Sequence, residues 1–402
     1  MVADAADQAN QEMVDRLIAE GALWSPRLMA AFRATPRHRF LDAVFVWDAR
    51  QERWRRIVTA SPGPRELALI YCDRALITRL AEDTRGGPPV PISSSSQPSL
   101  MAQMLEDLRL EPGLRVLEVG AGTGYNAALL AYAVHPGEVV TVDVDRAVLA
   151  EARDHLAAFA ERKVELHHAD GRDGWAERAP YDRIMVTAAT PDLEPAWLEQ
   201  TAEDGLLLAP LVLAPGLAFI VVGRVSRGVF EGRLTRGAYF MPLRAEGETG
   251  TTGSDPVFPW SAGVSEGAPW ASWFDHGPSR LRWAMLAQAL AFFAWLRGLE
   301  VCSRPRDGSR PAYLVRRPLG FDWCWLGRQQ WEASGPGGLR LARELWRAFL
   351  DAGAPRPTEF VVRAAPTRAV APQAGSAEYE RSGPWCRRVW KLVERRERPG
   401  WL

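Results

Sequence analysis

The strongest chemical signature lies in one run, Val116-Leu117-Glu118-Val119-Gly120-Ala121-Gly122-Thr123-Gly124-Tyr125. An apolar stretch carrying a carboxylate meets a Gly-x-Gly-x-Gly turn that opens a helical pattern. Glycines there let the backbone take positive φ and press against a ligand with no Cβ atoms between. The dinucleotide fingerprint would want another glycine at position 125, where tyrosine stands, so pyrophosphate is not the expected ligand. The turn suits a ligand without phosphate, such as the amino-acid and ribose parts of S-adenosylmethionine. Asp143 follows 23 residues after Gly120, at the end of Thr141-Val142-Asp143-Val144, the usual place for a carboxylate that holds ribose hydroxyls. Further on, Ala169-Asp170-Gly171 offers an acid able to accept from an adenine amino group. The cofactor-binding candidates are therefore Glu118, Gly120, Ala121, Gly122, Thr123, Gly124, Asp143, Val144, Asp170 and Gly171.

These residues need strands and helices to hold them, and the sequence supplies both. From Leu114 onward, strand patterns at 114–119, 139–144, 164–168 and 184–187 alternate with helical patterns at 125–134 and 146–159. Such alternation implies an α/β fold with a doubly wound parallel sheet. Before it, residues 11–33 and 97–110 read as helices, with Leu100, Met101, Met104, Leu105 and Leu108 at helical spacing. Gly205–Gly223 is uncharged and long enough to span a membrane, but Pro210, Pro215 and Gly216 divide it into two short buried strands. Residues 246–269, rich in Gly, Ser, Thr and Pro, read as a linker. The chain thus divides into residues 1–245, the linker, and a smaller α+β domain over 270–402. That last part holds most of the 17 tryptophans, and Trp385, Val389, Leu392 and Val393 share a helical face within it.

Composition narrows the classes of function. Lys+Arg and Asp+Glu both number 49, which argues against a partner bound through phosphate neutralisation, so no nucleic acid is expected. The four cysteines have no Cys-x-x-Cys spacing, and His167-His168 lacks a third ligand in its motif, so no metal is expected. Free thiols and a polar, acidic N-terminus fit a cytoplasmic protein, with no membrane partner. The run Ser93–Ser96, on composition alone, reads as a polar loop that caps the following helix.

With Pro36-Arg37-His38-Arg39-Phe40, Tyr71-x-Asp73, Ser96-Gln97-Pro98, Tyr181-Asp182-x-Ile184-x-Val186 and Phe240-Met241-Pro242-Leu243, the chain over roughly 10–243 resembles the protein-L-isoaspartate O-methyltransferase family. The resemblance implies a seven-stranded Rossmann-like class I methyltransferase sheet. It also implies methyl transfer from S-adenosylmethionine to a peptide carboxylate, with Ser96 as the catalytic hydroxyl and Ser95 and Gln97 beside the cofactor. An ionised carboxylate is already a nucleophile, so placement rather than a general base is what the reaction needs. Ser94, Ser95 and Ser99 depart from the Thr-Ile and bulky residues usual around this serine, giving a more polar rim. The layout is similar to actinobacterial members that act on ribosomally made peptides of the lanthipeptide and graspetide type. There the methyl ester of an Asp collapses through aspartimide. The expected partner is therefore a peptide or protein carrying Asp or isoaspartate, with a modified precursor peptide as the leading form and general isoaspartate repair as the alternative. A cofactor-binding adaptor is the reading of another class. The tryptophan-rich tail is expected to recognise the peptide.

Overall fold

The computed structural model describes residues 2–83, 86–159, 163–246, 248, 264–268, 279–305, 311–318, 322–326, 330–366, 378–381, 383–384 and 386–392. Most of the 246–269 segment, with Trp385 and Val393, lies outside them. The N-terminal part runs α1 (Val2–Ala19), α2 (Pro26–Ala34), β1 (Ala43–Asp48), β2 (Arg53–Val58), α3 (Pro64–Ile70), β3 (Leu76–Ala81), β4 (Val90–Ser95) and α4 (Pro98–Asp107). The helix expected over 11–33 is two helices. Gly21 takes φ +69° between them, and Ser25 caps α2 by accepting from the Leu28 amide, with Pro26 in the first turn. The serine run is not a loop either. Ser93–Ser95 end β4, which pairs antiparallel with β3 in a four-stranded sheet of order β2-β1-β3-β4, and Ser96 follows directly.

The alternating segment follows as β5 (Arg115–Val119), α5 (Tyr125–Val134), β6 (Glu138–Asp143), α6 (Arg146–Leu156), β7 (Val164–His168), β8 (Tyr181–Val186), α7 (Pro195–Gln200), β9 (Thr201–Ala214), β10 (Leu217–Ser226) and β11 (Val229–Gly237). These strands lie in the order β7-β6-β5-β8-β9-β10-β11. Pairing is parallel from β7 to β9, and β9, β10 and β11 form an antiparallel meander turned at Pro215-Gly216. The uncharged 205–223 run is therefore a buried hairpin, and among the described residues no helix is long and apolar enough to cross a membrane.

The C-terminal third contains β12 (Val264–Gly267), α8 (Ser279–Leu296), β13 (Glu300–Pro305), β14 (Pro311–Arg316), β15 (Trp323–Leu326), β16 (Gln330–Ala333), α9 (Pro336–Asp351), β17 (Phe360–Pro366), β18 (Glu378–Glu380) and β19 (Cys386–Leu392). It is shared between two sheets. Strands β12 to β16 make a five-stranded antiparallel sheet, whereas β17, β19 and β18 continue the main sheet beyond β11 to ten strands. The segment around Val389, expected as a helix, is the strand β19. It lies between β17 and β18, and its Cys386, Arg388, Val389 and Trp390 are all buried. Pairing on both edges favours β-branched and aromatic residues and overrides the local helical spacing.

Alternate residues of the main strands feed two cores. Val116, Met185, Ile220 and Val222 face α1, α2, α4 and α5, while Leu117, Ile184, Phe219 and Val221 face the other way. In that second core Phe292 of α8 meets Phe219 at 5.6 Å, Phe360 at 5.2 Å and Trp390 at 5.6 Å between ring centroids. The second half of α8, Ala289–Leu296, is apolar throughout and buried, and the helix touches β10 of the main sheet and β13 and β14 of the C-terminal sheet.

Candidate active site

The parallel strands converge on a cavity of about 800 Å³ beside the C-terminal ends of β5 and β6. This is where open α/β sheets bind ligands. Ser95, Ser96, Gln97, Glu118, Gly120, Ala121, Gly122, Thr123, Asp143, Val144 and Gly171 line it. Two of the sequence candidates do not. Gly124 caps α5 from behind at φ +81°, where a Cβ would meet the Ala152 carbonyl oxygen at 3.2 Å. Asp170 turns to its own loop and accepts from Arg172 Nη2 at 2.5 Å, and that bond holds its carboxyl below the ordinary range.

The glycine turn is fixed from several sides. Gly120 takes φ +101°, and a Cβ there would stand 2.4 Å from Thr187 Oγ1. Thr187 donates to the Val119 and Gly120 carbonyls, at 2.9 Å each, so it braces the turn from β8. Gly122 takes φ +50° and presents a bare Cα to the cavity. Asp143 Oδ2 accepts from the Gly122 amide at 3.3 Å, and Oδ1 accepts from the Asp145 amide at 3.0 Å. Burial raises the Asp143 pKa against these bonds. Glu118 is fully buried on β5, accepting from Thr141 Oγ1 at 2.6 Å and Asn126 Nδ2 at 2.7 Å. Burial pushes it up to about 7.

Opposite the turn, Arg37 organises the serine strand. This fully buried guanidinium donates to the carbonyls of Ile70 (2.7 Å), Cys72 (3.3 Å), Arg74 (3.1 Å), Ser95 (3.2 Å) and Ser96 (2.9 Å), and to Ser95 Oγ (3.3 Å). It therefore pins the backbone that presents the Ser96 hydroxyl. Ser96 does not cap α4. Asp73 does so from a distance, accepting from the Ser99 amide (2.8 Å), Ser99 Oγ (2.7 Å) and Gln97 Nε2 (2.8 Å). Burial alone would raise Asp73, but these bonds more than offset it and hold it low. Ser93 also borders the cavity, but its hydroxyl is engaged by Thr78 Oγ1, which donates to it at 3.2 Å.

Sequence reasoning missed Arg37, Asn126 and Tyr239 as parts of this site. Only Arg37 left a signal, inside Pro36-Arg37-His38-Arg39-Phe40. Asn126 and Tyr239 line the cavity from α5 and from the chain after β11. His38 bonds the Tyr71 hydroxyl at 2.6 Å, and His167 stacks on Trp175 at 4.0 Å. Behind the turn, His155 bonds the Thr123 carbonyl at 2.9 Å near Asp42 and Glu151, and Arg79 lies 3.3 Å from Glu151.

The lining suits S-adenosylmethionine. Bare Cα atoms face it, a ribose-type carboxylate stands at Asp143, and two buried polar atoms of its lining, Tyr125 Oη and Asn126 Oδ1, have no protein hydrogen-bond partner.

Comparison with known proteins agrees with this geometry. The family described as Protein-L-isoaspartate(D-aspartate) O-methyltransferase (PCMT) matches residues 83–247. A protein-L-isoaspartate O-methyltransferase of Halorhodospira halophila is 36% identical over 244 residues, 59% of this chain and 92% of that protein. One of Methanoregula boonei is 34% identical over 236 residues, 58% of this chain and 91% of that protein. A solved structure named protein-L-isoaspartate O-methyltransferase superimposes with TM-score 0.51 at 21% identity, covering 88% of this chain and 96% of that one. The shared fold therefore extends past residue 245 into the C-terminal third. The chain belongs to the protein-L-isoaspartate O-methyltransferase family and is, with it, a carboxyl methyltransferase that uses S-adenosylmethionine.

Proposed function

We propose that the protein methylates the free carboxylate of isoaspartyl residues in polypeptides, the general repair reaction. The observation that carries this reading is the pairing of a glycine-turn cavity with a serine hydroxyl just past the end of a clamped strand, in a chain whose relatives are named for isoaspartate. When bound, S-adenosylmethionine supplies an electrophilic methyl group. Glu118, Gly120, Ala121, Gly122, Thr123, Asp143, Val144 and Gly171 would hold it, with Asp143 taking the ribose hydroxyls. Ser95 and Gln97 would border it from the serine strand, and Asp170 would contribute only by leaving Arg172.

Ser96 has one task in this scheme. Its hydroxyl donates to the substrate carboxylate and orients one oxygen toward the methyl group. The carboxylate is ionised at neutral pH, so no base is required and the rate gain comes from in-line placement. Arg37 makes that placement rigid by holding the Ser95 and Ser96 carbonyls. The next backbone amide nitrogen then attacks the ester carbonyl carbon, the C–OCH3 bond breaks, and methoxide leaves with the amide proton as methanol, closing a succinimide.

A second reading, an Asp in a ribosomally made modified precursor peptide, draws support from the polar Ser94, Ser95 and Ser99 and from the C-terminal third. The tail's tryptophans offer less to it than their number suggested. Trp295, Trp323, Trp325, Trp331 and Trp390 are all buried. They serve packing first, which leaves general repair as the better-supported proposal.

Ser96→Ala tests the chemistry. It should fold and bind S-adenosylmethionine like the parent but transfer methyl slowly, whereas Ser93→Ala should be near neutral for turnover. Equal turnover in the two variants would remove Ser96 from the mechanism.

A further inference from the structure

The four-stranded sheet that ends in Ser95 has one face in the core and one face open. Val44 and Leu76 belong to the core formed with α1, α2, α4 and α5, and Ile57 packs against it. Alternation along the strands puts Phe45, Arg56, Ile77 and Ser94 on the opposite face. These four stand in one cross-strand row. Ser94 opposes Ile77, Ile77 opposes Phe45, and Phe45 opposes Arg56. Directly opposed residues share a face. Ser94 and Ile77 line the cavity, so the cavity wall runs on outward across Phe45 to Arg56 at the sheet edge.

The flanking rows are apolar as well. Trp47 opposes Trp54, and Ala43 opposes Val58. Val58 is 57% exposed and Trp47 39%. The tryptophans are held ready rather than loose. Trp54 Nε1 donates to the Pro89 carbonyl at 2.7 Å, and Trp47 meets it edge-on at 5.3 Å. On the outer strand β2 (Arg53–Val58), Trp54, Arg56 and Val58 share this face, so Arg56 is the strand's one charge on it.

We propose that this face is the docking site for the polypeptide chain that carries the methyl-accepting residue. The chain lies extended, with apolar side chains against Phe45, Trp47 and Val58 and an acidic residue opposite Arg56. The inference rests on the reading that the substrate is a polypeptide. A carboxylate at Ser96 is tethered to a chain that must leave the cavity, and the face is continuous with the wall it leaves by. A carboxylate alone binds weakly, so affinity has to come from remote contacts, and aromatic and arginine side chains are typical anchors. From β4 to β2 is three strand spacings, about 14 Å, or roughly four extended residues. A short peptide therefore does not reach.

The test compares an isoaspartyl tripeptide with a fluorescein-labelled isoaspartyl peptide of about twenty residues, apolar and acidic around the modified site. Val58→Glu and Arg56→Glu change exposed side chains. Each should raise the anisotropy Kd and the KM of the long peptide about fivefold or more, leaving the tripeptide KM and the S-adenosylmethionine Kd unchanged. Long-peptide Kd and KM within about twofold of the parent in both variants would overturn the docking site, as would failure of the parent to bind the long peptide. If the parent binds the long peptide and the variants weaken it while neither peptide gains a methyl group, the docking site stands and the isoaspartate reading fails.

Discussion

Ending the chain at Ala245 keeps every residue that lines the cavity but removes the cover of one sheet face. Phe219, Val221, Phe230 and Leu234 are at most 1% exposed, and they share a core with Phe292, Phe360 and Trp390 from the removed part. Burying a side chain of this size stabilises by about 1.5–3 kcal/mol, so exposing four costs about 6–12 kcal/mol. Strand β11 also loses its partner β17, opposite Phe230–Arg233. The carboxylate of Asp192, buried before α7, loses the Cys386 amide that donates to it at 2.7 Å. A whole domain is stable by about 5–15 kcal/mol, so the loss is comparable to everything the fold has. The shortened chain should therefore fail to unfold cooperatively in urea by circular dichroism, and should aggregate on size exclusion. A milder perturbation checks the same contact in the full chain. Phe292→Ala should cost about 3–5 kcal/mol. A shortened chain with a urea midpoint near that of the full protein would refute the reasoning and show that the catalytic part stands alone.

Three further outcomes follow from the site. Asp143→Asn removes the charge that would hold the ribose hydroxyls, and calorimetry should find S-adenosylmethionine affinity lowered by about 1.5–3 kcal/mol, roughly tenfold to a hundredfold. Arg37→Lys has at most three donors for six acceptors, so at least three of these oxygens lose their side-chain partner. Stability should fall by about 3 kcal/mol or more in urea titration, and turnover should fall more than cofactor affinity because Ser95 and Ser96 shift. Glu118 makes stability depend on pH. Between its ordinary value of 4.5 and its folded value of about 7, the unfolded chain has released a proton that the folded chain keeps. Stability therefore falls as pH rises through this window and levels off above it. Glu118→Gln removes the titration and keeps one acceptor oxygen, for Asn126, while its NH2 can donate to the Thr141 hydroxyl, so its stability relative to the parent should improve by about 3 kcal/mol from pH 4 to pH 8. A parallel pH profile in the variant would assign the dependence elsewhere.

The parts of the fold that could be read in advance are those set by local pattern. The apolar run before Gly120, the positive-φ glycines and the carboxylate at the end of β6 are short-range features, and eleven of the thirteen residues they and the family resemblance suggested line one cavity. Features set by distant partners were not legible. Ser96 sits next to a helix start, so it reads as a cap, yet Asp73, more than twenty residues away in sequence, does the capping. Asp170 has the right place after its strand, but Arg172 two residues on claims the carboxylate. The arginines of β2 disguise a strand, because alternation is hard to see when both faces near a sheet edge carry charge. In the tail, Val389 and its neighbours keep a helical spacing that pairing with β17 and β18 overrides. The tryptophan concentration reads as a binding surface, yet Trp295, Trp331 and Trp390 belong to the core that holds α8, and Trp323 and Trp325 are buried in a small cluster with Leu314.

The central claim is carboxyl methyl transfer to isoaspartate with Ser96 and Asp143 as working residues. The most direct measurement is mass spectrometry of a matched pair of peptides, one isoaspartyl and one aspartyl, incubated with the protein and S-adenosylmethionine. The isoaspartyl peptide should gain one methyl group and then lose methanol to the succinimide, while the aspartyl peptide stays unchanged. No methyl gain on the isoaspartyl peptide, with cofactor binding verified in the same sample, would contradict it.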